Sequence, residues 1–256
     1  MISGTQTERL LPALVRGEAK RALSLFAPGA SLDTPLSGRM SGERALARYV
    51  SESIAWLSER EAVLEAVRDT RAEGVTVSEW LLHLSGGSEG KVELPLAVVG
   101  EEGPEGLLAV RMYHSVWALE GKHRPREPLL RGGGVRLEDL PEIVRAYQKA
   151  LAEGDLEGIV ATFAPQGCAR EPAGGRYSYR GEGELRELYA SLFGEGGGIG
   201  LEHCAVVDDG WATAIEYNVV RWGNRPVSPS PGVAVYERDE TGLIAAARIY
   251  DDVEVP

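Results

Sequence analysis

The sequence predicts an α+β protein with two tandem cone-shaped domains, in each of which three helices pack against a curved, mainly antiparallel sheet. Two observations predict it. Short motifs return along the chain at one constant offset, which indicates an internal duplication. Within each copy, helical patterns come first and a run of strand patterns follows. This order is typical of α+β folds rather than of alternating α/β folds.

The duplication is visible as matches separated by 137 residues. Leu25–Pro28 (LFAP) returns as Thr162–Pro165 (TFAP), and 163 − 26 gives the offset of 137. The same offset relates further pairs spread over most of the chain: Gly17 and Gly154, Glu79 and Glu216, Trp80 and Tyr217, Gly86 and Gly223, Ala109 and Ala246, and Tyr113 and Tyr250. We therefore expect the two copies to share one fold.

Three helices are predicted in the second copy. Over Leu140–Glu153, apolar side chains follow the spacing of one helix face. Gly154 ends this helix, and Asp155 is a suitable N-cap for a second helix that runs to Ala164. A third helix covers Glu182–Phe193. The corresponding helices of the first copy are predicted near 6–17, 18–27 and 42–57.

Strands follow the helices in both copies. In the second copy, a short strand over 167–171 ends at Pro172, and the turns Asp208–Gly210 and Glu240–Gly242 indicate hairpins. The longer strands of the second copy are predicted at 201–208, 211–222, 232–238 and 243–253. Those of the first copy are predicted near 61–70, 74–84, 91–99 and 106–118.

Glycine and proline interrupt the chain between the copies. Residues 121–137 are therefore predicted as a linker between a domain over 1–120 and a domain over 138–256. The Gly132–Gly134 run inside this linker lacks the Gly-Lys-Ser/Thr ending and the preceding strand of a phosphate-binding loop. It does not indicate a nucleotide site.

Composition favours a soluble globular protein that binds neither nucleic acid nor an anionic membrane. The chain has 43% hydrophobic residues and a net charge of −12, which argues against nucleic acid or an anionic membrane as a partner. With no long apolar run and no secretion signal in the sequence, the cytoplasm is the expected location. Two cysteines are too few for a disulfide framework, and the four histidines show no metal-ligand spacing, so neither a metal site nor a cofactor is expected.

Several motifs of the second copy occur in a specific order. They are Ala146–Val160, Phe163-Ala164, Arg170–Pro172, Arg180-Gly181, Leu188-Tyr189, Trp222–Asn224 and Asp239–Gly242. In content and spacing this set resembles the ketosteroid isomerases, within the nuclear-transport-factor-2-like, or SnoaL-like, superfamily. The resemblance implies a cystatin-like, SnoaL-like cone for both copies. It covers roughly residues 140–256.

The resemblance implies a catalytic carboxylate and two phenols. Glu171, just before a proline, occupies the position of the family's base, and Tyr147 on the first helix matches the donor to the developing enolate oxygen. Tyr189 on the third helix matches the tyrosine that supports this donor. The family's second donor, a protonated acid, falls on Ala234, so the second donor of that family is missing.

The resemblance also implies a more polar substrate pocket than a steroid needs. On the strand 211–222, alternate residues share a face, and the prediction turns Glu216 and Asn218 towards the cavity. Such walls suit a smaller or more oxygenated ketone. The remaining predicted substrate contacts are Phe163, Ala234, Ala247, Ile249 and Asp251.

The first copy lacks the key side chains. At the matching positions it has Leu10, Thr34 and Val50 in place of Tyr147, Glu171 and Tyr189. It is interpreted as a SnoaL-like domain with a degenerate pocket that serves as a structural partner. The resemblance implies an intramolecular pseudo-dimer of the two domains, with a homodimer as a further option.

Together these features predict a cofactor-independent isomerase or cyclase that moves a proton on a small ketone or polyketide-like substrate in the second copy. Two alternatives stay open, a non-catalytic small-molecule binding protein and an interaction or scaffold domain. Glu171 also has a structural interpretation, in which it forms an ion pair with Arg170, Arg176 or Arg180.

Overall fold

The computed structural model describes residues 4–85, 90–174, 177–194 and 196–254. By internal contacts the chain divides into two compact units, Met1–Lys122 and His123–Pro256. Among the helices of the described residues, none combines the length and the apolar character that crossing a bilayer requires.

The first unit contains four helices and six strands. Its helices are α1 (Gln6–Val15), α2 (Ala19–Leu23), α3 (Glu43–Glu59) and α4 (Trp117–Glu120). Its strands are β1 (Phe26–Thr34), β2 (Gly38–Ser41), β3 (Val63–Ala72), β4 (Val75–Leu84), β5 (Val92–Gly103) and β6 (Gly106–Tyr113). These counts refer to the described part of the chain.

The second unit repeats this order after a short 3₁₀ turn at Leu137–Asp139. Its helices are α5 (Glu142–Glu153), α6 (Leu156–Val160) and α7 (Gly181–Leu192). Its strands are β7 (Phe163–Arg170), β8 (Ser178–Arg180), β9 (Ile199–Asp208), β10 (Ala212–Trp222), β11 (Arg225–Arg238) and β12 (Ile244–Tyr250).

Each unit has one six-stranded mixed sheet, and the two sheets have the same topology. The strand order is β2-β1-β6-β5-β4-β3 in the first and β8-β7-β12-β11-β10-β9 in the second. Neighbours pair antiparallel except for β1 with β6 and β7 with β12, which are parallel. The α+β fold with mainly antiparallel sheets is therefore confirmed, and the elements of the two units follow the 137-residue offset.

Local sequence explains where the helices begin and end. The Thr5 side chain caps α1, and the Glu102 carboxylate accepts hydrogen bonds from the Gln6 and Thr7 amides at 3.0 and 3.1 Å. In the second unit, α5 ends at Gly154, which has a φ of +72°, and Asp155 accepts from the Gly158 amide to cap α6.

Two element boundaries differ from the sequence prediction for a tertiary reason. The second helix was predicted to run to Ala164, but α6 ends at Val160 and β7 already begins at Phe163. Phe163 pairs in parallel with Ile244 at the start of β12. The neighbouring strand thus takes up residues that the local pattern assigned to the helix, and this pairing cannot be read from a single segment.

The segment predicted as a linker packs partly on the second unit. The Gly134 amide donates to the His203 carbonyl at 3.1 Å. A Cβ atom on Gly134 would lie 2.3 Å from the Cys204 carbonyl oxygen, so only glycine permits this approach. At the start of the segment, the Arg124 amide donates to the Asp252 carboxylate at 2.8 Å.

Candidate active site

The inner face of the second sheet is set by the register of its central strands. Ile215 on β10 lies opposite Ala234 on β11, which in turn lies opposite Ile249 on β12. Residues directly opposite in a ladder point to the same face. The same face carries Tyr217, Tyr236 and Ala247, which belong to the hydrophobic core that includes Tyr147 of α5 and Tyr189 of α7.

Tyr147 and Tyr189 form a buried pair of phenols. Their hydroxyl oxygens are 2.8 Å apart, and each side chain is 2% exposed. The Tyr147 ring also contacts Phe163 and Tyr236, with ring centroids 5.9 and 4.8 Å away. Burial raises the pKa of both phenols above the ordinary value of 10.0, so both stay protonated hydrogen-bond donors.

Glu171 follows β7 and is half-buried. Its backbone amide donates to the Tyr177 carbonyl at 3.0 Å, and the Tyr179 hydroxyl donates to its carboxylate at 3.3 Å. Burial raises the pKa of the Glu171 carboxyl, and the bond from Tyr179 partly opposes this rise. The group is therefore a stronger base than an exposed glutamate.

The two described arginines of the predicted ion pair have other contacts. The Arg170 guanidinium contacts the Tyr250 hydroxyl, and the Arg180 guanidinium donates to the Gln166 carbonyl at 3.2 Å. Arg176 lies outside the described residues. Among the described residues, the side-chain contact of the Glu171 carboxylate is the one from Tyr179.

Asp251, just after β12, brings a second carboxyl to this face. The Tyr217 hydroxyl donates to it at 2.8 Å. Burial is the main cause that raises the pKa of Asp251 to about 6. The hydrogen bond from Tyr217 and the charge of His123 oppose this rise, whereas the charges of Asp252 and Glu171 add to it.

A hydrogen-bonded chain crosses from β9 to β11. The His203 imidazole lies 3.1 Å from the Gln148 amide oxygen, and the Gln148 amide nitrogen donates to the Tyr236 hydroxyl at 2.8 Å. All three side chains are at most 8% exposed. Since the Tyr236 oxygen accepts from Gln148, its own hydrogen is directed elsewhere. Burial raises the pKa of this phenol, which keeps it a donor.

Two predicted pocket residues lie on the wrong side of β10. Because successive side chains of a strand alternate, the inward positions of Ile215 and Tyr217 turn Glu216 and Asn218 to the opposite face. The Asn218 amide donates to the Leu130 carbonyl at 3.1 Å. The sequence analysis predicted that Glu216 and Asn218 face the cavity, but they face away from the core. They are therefore not part of the candidate site.

The other predicted contacts lie on the inner face. Phe163, Ala234 and Ala247 belong to the core cluster, and Ile249 packs against it. Sequence reasoning missed Tyr217, Tyr236, Gln148 and Tyr179. The apolar alternation of Ile215, Tyr217 and Val219 was the signal that pointed to the first of these.

Gln148 and His203 also line a cavity of about 360 Å³ beside the core. Its other walls come from Val135 and Leu137 before α5, and from Ile199 and Leu201 on β9. Within the described residues, no group of three or more His, Cys, Asp and Glu side chains is placed to hold a metal ion.

Comparison with known proteins agrees with this architecture. The family model of the SnoaL-like domain matches residues 144–247. No curated protein matches the chain at a significant level.

Three of the solved structures similar to the chain each cover less than half of it. A candidate polyketide cyclase from Sinorhizobium meliloti is 22% identical, with a TM-score of 0.38, and 45% of this chain and 99% of that chain are covered. A protein with a ketosteroid isomerase-like fold from Catenulispora acidiphila is 15% identical, with a TM-score of 0.40 and coverage of 45% and 90%. An epoxide hydrolase from M. tuberculosis is 16% identical, with a TM-score of 0.38 and coverage of 45% and 84%. By the family match, the second unit contains a SnoaL-like domain.

Proposed function

We propose that the second unit is a cofactor-independent isomerase or cyclase that moves a proton on a small ketone or polyketide-like substrate. The observation that supports it most is a half-buried carboxyl of raised pKa, Glu171, two residues after Ala169 of the core that contains the hydrogen-bonded Tyr147–Tyr189 pair. A base of raised pKa beside protonated phenols is the arrangement that enolate chemistry needs.

In the proposed reaction, the Glu171 carboxylate removes a proton from the carbon next to the substrate carbonyl. The electrons of the broken C–H bond form the C=C bond of an enolate, and the negative charge moves to the oxygen. Tyr147 donates a hydrogen bond to this oxygen, and Tyr189 donates to Tyr147. Glu171 then returns the proton to another carbon, so the double bond moves with no net oxidation or reduction.

Tyr236 supplies the second donor in this proposal. Ala234, at the position of the donor acid in the ketosteroid isomerases, carries no polar group. Tyr236 lies two residues further along the same face, with its ring 4.8 Å from that of Tyr147. Because Gln148 donates to the Tyr236 oxygen, the remaining hydrogen can be given to the substrate.

The substrate we infer carries oxygen in addition to the reacting carbonyl. Tyr217 and Asp251 form a polar contact on a face otherwise lined by Ala234, Ala247 and Ile249. A bare hydrocarbon skeleton would offer the Asp251 carboxyl no hydrogen bond beyond the one from Tyr217, whereas a substrate hydroxyl can donate to it as well. Asp251 is also close enough in its pKa to neutral pH to exchange a proton with such a hydroxyl.

The test follows proton movement directly. Cyclic β,γ-unsaturated ketones, with and without a hydroxyl group, are incubated with the protein in D₂O, and ¹H NMR records α-deuteration and migration of the double bond. We expect Glu171→Gln to lower the rate by about 10²–10⁴-fold, as loss of a general base does. Glu187→Gln, an exposed glutamate of α7, is the matched control and keeps the full rate. Turnover that survives Glu171→Gln rules out this mechanism.

Binding without turnover is the second candidate function. It is favoured by the close aromatic packing around Tyr147, which contacts Phe163, Tyr189 and Tyr236. In the same experiment it predicts line broadening of the ketone signals by the protein, while the ketone is recovered without deuterium and with its double bond in place.

A further inference from the structure

The first unit contains a partly open cavity of about 280 Å³ between its helices and its sheet. We propose that this cavity binds a small, uncharged and mainly apolar molecule that carries one hydrogen-bond-accepting oxygen. The family match ends within the second unit and does not extend to this site. The lining residues that carry the argument are Thr34, Tyr49, Ser53, Leu96, Met112 and His114.

The position of the cavity corresponds to that of the site in the second unit. With the offset of 137, Thr34 corresponds to Glu171, and His114 corresponds to Asp251. Both carboxyls of the second unit are thus replaced, one by a hydroxyl and one by an imidazole. The Thr34 hydroxyl accepts from the Ser37 amide at 3.0 Å. A pocket that lost both acids is suited to hold a ligand without the proton transfer proposed for the second unit.

The wall chemistry selects an uncharged ligand. Eight of the sixteen described lining residues are leucines, and Leu14, Leu82 and Leu96 among them are buried. Among the described lining residues, Glu52 alone carries a formal charge, and its side chain is 70% exposed at the edge. A charged ligand group would lose its hydration against these leucines without a counter-charge inside.

The volume limits the size of the ligand. At roughly 30 Å³ for each non-hydrogen atom, as in a liquid, 280 Å³ holds about nine or ten such atoms. A ligand of this size has a medium-chain or monocyclic skeleton. The cavity is too small for a steroid. At the edge, Leu36 and Glu52 are exposed, which provides a route of entry.

Tyr49 is the group that would recognise the oxygen. Its hydroxyl donates to the Met112 sulfur at 3.4 Å, and a thioether is a weak acceptor. Burial raises the pKa of this phenol, so it remains a donor at all physiological pH values. A ligand carbonyl or ether oxygen is a better acceptor than the sulfur and would replace it.

The experiment uses the full chain labelled with ¹³C at the methionine methyl groups and 2-nonanone as the probe, a ketone of ten non-hydrogen atoms. The chain has three methionines, and Met112 alone of them lines the cavity among the described residues. We expect its methyl signal, assigned with Met112→Leu, to shift and saturate while the Met1 and Met40 signals stay in place. A Met112 signal that does not move overturns the proposal.

Three variants locate the probe. Tyr49→Phe should weaken binding by about 2- to 12-fold, the range expected for one neutral hydrogen bond. Ser53→Trp, which fills the cavity from α3, should abolish the shift, and Ser58→Trp on the exposed side of α3 should keep it. Circular dichroism confirms that each variant is folded. If the Ser53→Trp variant binds as well as the parent chain, the cavity is not the site.

Discussion

Replacing Asp251 by asparagine should stabilise the second unit at neutral pH although it removes a residue of the candidate site. Burial raises the pKa of this carboxyl, and Tyr217 donates to it at 2.8 Å. Asparagine has the same shape and its amide oxygen can accept the same hydrogen bond. The substitution thus removes a charge that is partly desolvated on folding, and it leaves the packing unchanged.

The magnitude follows from the raised pKa of Asp251. Its pKa is about 6 in the folded chain against the ordinary 3.8, and at about 1.4 kcal/mol for each pH unit this difference corresponds to about 3 kcal/mol. Between these two values the folded chain holds a proton that the unfolded chain has lost, so folding is favoured as the pH falls. Above about pH 6 the carboxyl is ionised in both the folded and the unfolded chain, and the full free-energy cost of burying its charge is present. At pH 5 roughly half of this free-energy cost remains.

The assay is urea-induced unfolding of the parent chain and Asp251→Asn at pH 7.5 and pH 5, with a tryptophan of the second unit as the probe. The variant should gain about 3 kcal/mol in the free energy of unfolding at pH 7.5 and about half of that at pH 5. Asp239→Asn is a control of opposite sign, because hydrogen bonds to the Asp239 carboxylate lower its pKa. Equal stability of the Asp251→Asn variant and the parent chain at pH 7.5 would refute the dry environment on which the proposed chemistry depends.

Three further substitutions test the packing. Gln148→Leu should lower the free energy of unfolding by about 2 kcal/mol or more, because it leaves two buried polar partners unsatisfied. The control Lys149→Leu, exposed on the same helix, should change the free energy of unfolding by less than about 0.5 kcal/mol. Equal effects of the two substitutions would contradict the hydrogen-bonded chain. Gly198→Ala should lower the free energy of unfolding by about 2–4 kcal/mol, because its Cβ would lie 1.9 Å from the Leu151 carbonyl oxygen. Gly183→Ala has open space around it inside α7 and should raise the free energy of unfolding by about 0.5–1 kcal/mol. Denaturant midpoints measure both effects. Glu102→Gln should cost about 1 kcal/mol in the free energy of unfolding at pH 7, because it weakens the start of α1. This difference should shrink as the pH falls below the ordinary 4.5 and disappear below the lowered pKa of Glu102, and a difference that does not shrink below pH 4.5 would argue against the carboxylate as the cap.

Much of the fold could be predicted from the sequence because its signals are local or repeated. Gly154 and Asp155 mark the junction of α5 and α6 as predicted, since a left-handed residue and a side-chain cap act within a few positions. The repeat then transfers the strand order from one unit to the other. β2 and β8 were missed because each is a short edge strand that is defined by its neighbour, as in the pairing of Arg170 with Ser178.

The candidate site was predicted only in part. Tyr147 and Tyr189 were predicted from the resemblance to the ketosteroid isomerases, and the structure places their hydroxyl oxygens 2.8 Å apart. The face of β10 was predicted incorrectly because Glu216 and Asn218 alternate with Tyr217, and alternation by itself does not say which set points inward. Charged Glu216 is 4% exposed on the outer face, so burial does not distinguish the two faces either.

The sequence alone determined that the chain is a duplicated α+β protein and that its second copy combines a glutamate before a proline with a tyrosine on the first helix. These features depend on order and spacing along the chain. Only the tertiary structure decided that Tyr217 holds Asp251, that Gln148 orients Tyr236, and that the first unit retains an apolar cavity. Each of these depends on strand register and on how side chains from distant segments fill a shared volume, and neither is encoded in any single stretch of sequence.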